Sequence, residues 1–226
     1  MFSTYLGQFQ SAARLWAIKF FIGTDAVGIF AVAHGMFQQV TALLPIARVV
    51  DPLVAQYLHR RETMVRLLQK SVKYQVIGYA IAAPVASILL PVILLPFFPH
   101  YAAAFALFPF LAAAYLPGAV GSGLRSAFFA LKMQRSLFFA VLKMTVLSLL
   151  SLPLLLPLLG LYGAALEFVL TRAVFALDRY RILRKVLPEF SLTVRDLVSL
   201  DRDDRRLLKG MARRIPFARV VLARLL

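Results

Sequence analysis

The chain contains no cysteine. Disulfides, zinc-thiolate sites and thiol nucleophiles are therefore excluded. Acid is scarce as well, with 10 Asp and Glu against 26 Lys and Arg, and no two carboxylates stand at a catalytic spacing. Neither a glycine-rich phosphate loop nor a His/Asp/Glu metal cluster is present. His34, His59 and His100 are far apart in depth. The sequence thus offers no catalytic constellation and calls for no cofactor. A net charge of +16 would suggest nucleic acid in a soluble protein, but no nucleic-acid motif or aromatic platform accompanies it. A removable signal peptide is not expected, because the first residues lack a basic region and carry Gln8, Gln10, Arg14 and Lys19 in place of a short apolar run.

What the chain has in abundance is apolar surface. Of its 226 residues 61% are hydrophobic and only 16% are charged, with a mean hydropathy of +0.79. One soluble core of this size could not hide that much. The apolar residues fall in blocks that approach the roughly 20 residues a bilayer span requires. Six helices are predicted, at about 5–22, 26–50, 74–97, 101–122, 137–158 and 161–181, forming an all-α membrane unit over 1–183. The polar stretch 51–73 has helical spacing of its own. A basic tail follows over 184–226. There Thr193 would cap a helix beginning near Val194, and Leu200, Leu207, Leu208, Met211 and Ile215 would form its membrane-surface face. A solvated tail is the alternative.

The connections alternate in charge. Arg60, Arg61, Arg66, Lys70 and Lys73 stand in 51–73, and Arg125, Lys132 and Arg135 in 123–136, whereas 23–25, 98–101 and 159–161 contain no Lys or Arg. The positive-inside rule makes the basic segments and both termini cytoplasmic, and anionic lipid the expected partner of the charge. Prolines recur within the predicted spans, at Pro45, Pro84, Pro91, Pro109, Pro117, Pro153 and Pro157. They read as ordinary membrane-helix prolines or as bending points for gating.

Polar residues inside the spans are the candidate site. Arg14 lies near the middle of the first helix. A central Arg costs roughly 2.5–3.5 kcal/mol on insertion, and each Leu, Ile or Phe returns about 0.3–0.6. Leu6, Phe9, Leu15, Ile18, Phe20, Phe21 and Ile22 together barely offset one charge and fail against Arg14 plus Lys19. Arg14 must therefore face a water-filled cavity and an anion, or meet a structural partner such as Glu167. Lys19 can snorkel outward or contribute to a site. His34, Gln38, Thr41, Pro45 and Arg48 follow at steps of four, three, four and three, forming one stripe of the second helix. That stripe reads as a cavity wall or as interhelical hydrogen bonding. Lys143, Glu167 and Arg172 form a third cluster, in which a Lys143–Glu167 pair would hold the bundle and a proton or cation relay through Glu167 is the alternative.

Several phrases carry a family resemblance. TDAVGIFAVAHGM (24–36), DPLVAQYLHRRETMVRLLQKSVKY (51–74), PFFPHYAAAFALFPFLAAAYLPG (96–118), FFALKMQRS (128–136) and LPLLGLYGAALEFVLTR (156–172) occur in that order. In order and spacing they resemble the C-terminal lobe of the polysaccharide (O-antigen or exopolysaccharide) flippase family, of the multidrug/oligosaccharidyl-lipid/polysaccharide exporter superfamily. The resemblance implies one six-helix lobe of a two-lobe, V-shaped fold in a prokaryotic plasma membrane. It also implies translocation of polyprenyl-pyrophosphate-linked oligosaccharides by alternating access, with cavity cations holding the pyrophosphate. Arg14 matches that role best and Lys19 less well, with His34, Gln38 and Thr41 toward the polar head group. The family's N-terminal lobe has no counterpart here, so a second lobe or another copy is the expected partner. Two rivals are a drug/cation antiporter of the same fold and a non-transporting scaffold subunit of a glycan-assembly complex.

Overall fold

The computed structural model describes residues 2–44 and 46–193. Pro45, the Arg48 side chain and the amphipathic tail expected from Val194 onward lie outside the described residues. Every regular element among the described residues is helical. The helices are α1 (Phe2–Phe21), α2 (Thr24–Leu43), α3 (Ile46–Gln56), α4 (Arg61–Leu94), α5 (Ala102–Ala112), α6 (Tyr115–Gly123), α7 (Arg125–Ala130), α8 (Gln134–Leu159) and α9 (Leu161–Val186), with a 3₁₀ turn at Pro99–Tyr101 before α5.

Three expectations change. The second helix was expected to reach residue 50 but ends at Leu43. Leu44, the residue before a proline, has left the helical region with φ −115° and ψ 70°, as pre-proline sterics require. The stretch 51–73 has the helical spacing expected of it, but the third predicted helix starts at Arg61 and not near Tyr74. The stretch holds the end of α3, a short turn and the first turns of α4, a helix of 34 residues and about 51 Å, longer than the roughly 30 Å hydrocarbon core. Met64, Val65, Leu68 and Val72 are buried along its charged half. The fourth predicted helix breaks at Ala113–Ala114 into α5 and α6, and the paired segments bend by 51°. Pro117 leaves the Ala113 carbonyl without its intrahelical N–H donor, which favours a kink at this point, and the Ala114 N–H bonds to Leu111 O at 3.0 Å in a tighter turn at the break.

Around a buried hydrophobic core that includes Phe30, Phe37, Phe108, Leu111 and Phe168, the outer surface is strongly apolar. Large apolar side chains are exposed along α1 (Tyr5, Phe9, Trp16, Phe20), α4 (Ile81, Ile88, Val92), α8 (Leu150, Leu154, Leu158) and α9 (Leu166, Leu170, Leu177). Gln10, Arg14, Gln75, Ser148, Glu167, Thr171 and Arg179 are buried. Among the described residues α2, α4 and α8 are each long and apolar enough to cross a membrane, and the bent α5–α6–α7 segment is a fourth if it is one span. The chain therefore has the helices of a membrane protein. α1 and α9, which carry Arg14 and Glu167, are not among these four.

α9 is the central helix, packed on α8, α6 and α5, while α1 packs chiefly on α8 and touches α2 and α9 more lightly. The compact unit ends at Leu192, so the expected change of character at Arg184 falls within the last turn of α9. Its lower half is anchored by Arg179, whose guanidinium donates to the Gly121 carbonyl and lies 4.0 Å from the Phe175 ring centroid. A cation at the C-terminal carbonyls of α6 complements the helix dipole. At the other end α8 turns into α9 on Gly160, whose φ of 57° favours glycine. Three residues on, a Cβ at Gly163 would run into the Leu155 carbonyl oxygen. Gly163→Ala should therefore destabilise the protein by about 1–3 kcal/mol, read as a lowered melting temperature in detergent. Gly28→Ala, where a Cβ meets open space, should not lower it.

Candidate functional site

The buried polar residues converge on two adjoining features. The first is an ion pair between α1 and α9. Arg14 Nε donates to Glu167 Oε2 at 2.6 Å and Arg14 Nη2 to Glu167 Oε1 at 3.2 Å. Arg14 is 4% exposed and Glu167 fully buried. A two-point guanidinium–carboxylate contact is the geometry in which a buried pair best recovers its desolvation cost. The Arg14 guanidinium also lies 5.0 Å from the Phe168 ring centroid.

The second feature is a cavity of about 290 Å³ enclosed by the C-terminal part of α2, the middle of α4, α6 and α9. Gln38, Thr41, Gln75, Tyr79, Tyr115, Ser122, Arg125 and Arg172 line it, with Phe37, Ala42, Leu44 and Gly118 completing the wall. Its aromatic side is a stack: Phe37 on Tyr115 at 4.3 Å and Tyr115 on Tyr79 at 5.0 Å, both nearly parallel. The Tyr115 hydroxyl donates to Phe37 O at 3.0 Å, which fixes the ring. On the polar side the Ser122 hydroxyl donates to Gln75 Oε1, and Gln75 Nε2 donates to Ser71 Oγ at 3.2 Å. Arg172 is half-buried. It rests on Phe168, 5.0 Å from the ring centroid, and has no carboxylate partner among the described residues. A half-desolvated guanidinium held by an aromatic ring keeps its donors for an anion.

The residues marked in the sequence separate into different settings. Gln38 and Thr41 line the cavity, although Thr41 Oγ1 is also bonded to Phe37 O at 2.9 Å. His34 stands one turn away, beside Phe30 at 5.9 Å and Phe37 at 6.2 Å, with Phe168 edge-on at 5.4 Å. It reaches the cavity only through its 3.2 Å hydrogen bond with Gln38. Arg14 does not line the cavity; of the two settings open to it, the Glu167 partner is the one found. Lys19 is exposed at the end of α1, 5.5 Å from the Trp16 ring centroid, and lines no part of the cavity. Lys143 meets Asp178 at 3.3 Å, not Glu167, which Arg14 occupies. Arg172 is the member of that third cluster that enters the cavity.

Gln75, Tyr79, Tyr115, Ser122 and Arg125 were not picked out as site residues in the sequence. The available signal was spacing: Gln75 and Tyr79 are four apart, as are Gly118 and Ser122, so each pair shares a helix face. No family model, curated protein or solved structure matches the chain.

The ion pair generates a stability prediction. Removing one partner leaves a buried charge alone, so Arg14→Leu or Glu167→Leu should each cost about 3–5 kcal/mol. The double replacement Arg14→Leu/Glu167→Leu should recover most of that. Thermal unfolding in detergent of the four proteins measures the coupling, and additive losses would show that the two side chains do not act as a pair.

Proposed function

We propose that this chain is one six-span lobe of a lipid-linked oligosaccharide flippase of a prokaryotic plasma membrane, working by alternating access against a second lobe. The carrying observation is Arg172, a half-buried guanidinium with no carboxylate partner among the described residues, in a cavity walled by stacked aromatic rings. A pyrophosphate suits the cation, and the exposed Gln38 amide with the partly exposed Ser122 hydroxyl suits hydroxyl-rich sugar. In this reading the anion-binding role expected of Arg14 passes to Arg172, with Arg125 at the mouth. Arg14 and Glu167 hold α1 to α9.

The span count follows from the same pairing. α2, α4, the bent α5–α6 segment and α8 cross on composition. α1 and α9 cross because Arg14 and Glu167 enter hydrocarbon as a pair and not as separate charges. The cavity lies toward the ends of α2 and α6 that lead into the basic segments, which the positive-inside rule makes cytoplasmic. That is the side on which a lipid-linked glycan would load. A drug/cation antiporter would present a carboxylate to its cavity. None lines this one.

The test is transfer of a labelled polyprenyl-pyrophosphate oligosaccharide in proteoliposomes holding the complex purified from its own membranes. Arg172→Ala should lower transfer roughly 10–100-fold, the worth of a hydrogen-bonded charge, at unchanged protein abundance, and Arg172→Lys should restore part of it. Wild-type protein that moves no substrate, or an Arg172→Ala protein that moves it at the wild-type rate, contradicts the reading.

A further inference from the structure

A second basic cavity shares no residue with the first. It lies between α8 and the last turns of α9, encloses about 520 Å³, and is lined by Lys143, Asp178, Tyr180, Arg181, Arg184 and Lys185 together with Leu177 and Ile182. Four cations from two helices face one carboxylate. Lys143 Nζ contacts Asp178 Oδ1 at 3.3 Å but its side chain is 66% exposed, which leaves ammonium donors available. Arg181, Arg184 and Lys185 are exposed and have no carboxylate partner among the described residues. Helix-dipole complementarity accounts for Arg184 and Lys185 in the final turn of α9. It does not account for Lys143, which projects from the body of α8.

The setting of this charge identifies its ligand. Leu170, Val174 and Leu177 form an exposed apolar stripe on α9, and Val146, Leu149 and Leu150 are exposed on α8. The cations begin one helical turn beyond Leu177. An apolar stripe ending in a convergent basic cavity matches an amphipathic anion, with acyl chain along the helices and phosphate at their end.

We propose that this cavity binds the phosphate of an anionic lipid headgroup. The proposal rests on the membrane placement given above and not on glycan transport, so a protein that fails the transfer test can still pass this one.

The experiment is native mass spectrometry of the full-length protein in detergent, titrated with phosphatidylglycerol or with phosphatidylcholine. Wild-type protein should retain phosphatidylglycerol in preference to phosphatidylcholine. Arg181→Gln/Arg184→Gln should weaken that retention by about 25-fold, near fivefold per charge. Basic residues beyond 193 are common to both proteins, so the difference reads the cavity. Should the double variant fail to insert, Lys185→Gln alone should lose about fivefold. Equal retention of the two lipids, unchanged affinity in the variants, or displacement of phosphatidylglycerol by millimolar inorganic phosphate would overturn the proposal.

Discussion

Arg14 and Glu167 are charges that neither α1 nor α9 could carry into hydrocarbon alone. Their two-point contact pairs the two charges inside the helix bundle, and the cavity beside it is built on the same helix, α9. α9 holds Glu167 where its buried face meets α1 and α8, and the adjacent Phe168 carries both the Arg14 and the Arg172 guanidinium. The ion pair and the cavity cation are thus neighbours through one ring. Glu167 compensates Arg14, while the cavity keeps the uncompensated charge of Arg172.

That division explains the distribution of polarity. Side chains such as Gln75 and Thr171 turn inward to hydrogen-bond partners while many large apolar ones stand outward, the arrangement a hydrocarbon surround favours because it cannot satisfy hydrogen bonds. The backbone obeys the same constraint. Where Pro117 removes a donor, the chain bends and recovers part of its bonding through a tighter turn at Ala114. Pro153 and Pro157, within α8, break nothing. The break between α5 and α6, three residues before Pro117, stands next to the cavity wall at Tyr115.

The long apolar blocks made α1, α2, α8 and α9 legible in the sequence to within a few residues at their starts. α4 was legible as two pieces, a charged stretch with helical spacing and a span from Tyr74; that they are one helix follows from the buried stripe at Met64, Leu68 and Val72, which runs into the apolar part. The ion pair was half legible. Glu167 stood out as the acid available inside the spans, but Arg14 and Lys143 competed for it, and only the packing of α1 on α9 decides between them. Asp178, which takes Lys143, was overlooked because it sits among the basic residues at the end of α9. Of the cavity wall, Gln38 and Thr41 followed from helical spacing. Gln75, Tyr115 and Ser122 did not, since they come from separate segments whose meeting is a tertiary fact.

The most direct test of the central claim is whether α1 and α9 cross the membrane. The absence of native cysteine makes the measurement clean. Single cysteines placed by Tyr5→Cys and Thr24→Cys flank α1, and those placed by Leu159→Cys and Arg184→Cys flank α9. Each would be labelled with a membrane-impermeant maleimide in intact and in opened cells. The account predicts that Tyr5→Cys and Arg184→Cys react only after opening, on the side of the basic segments, while Thr24→Cys and Leu159→Cys react in intact cells. Labelling of Tyr5→Cys and Thr24→Cys from the same side, or of Leu159→Cys and Arg184→Cys from the same side, would contradict it.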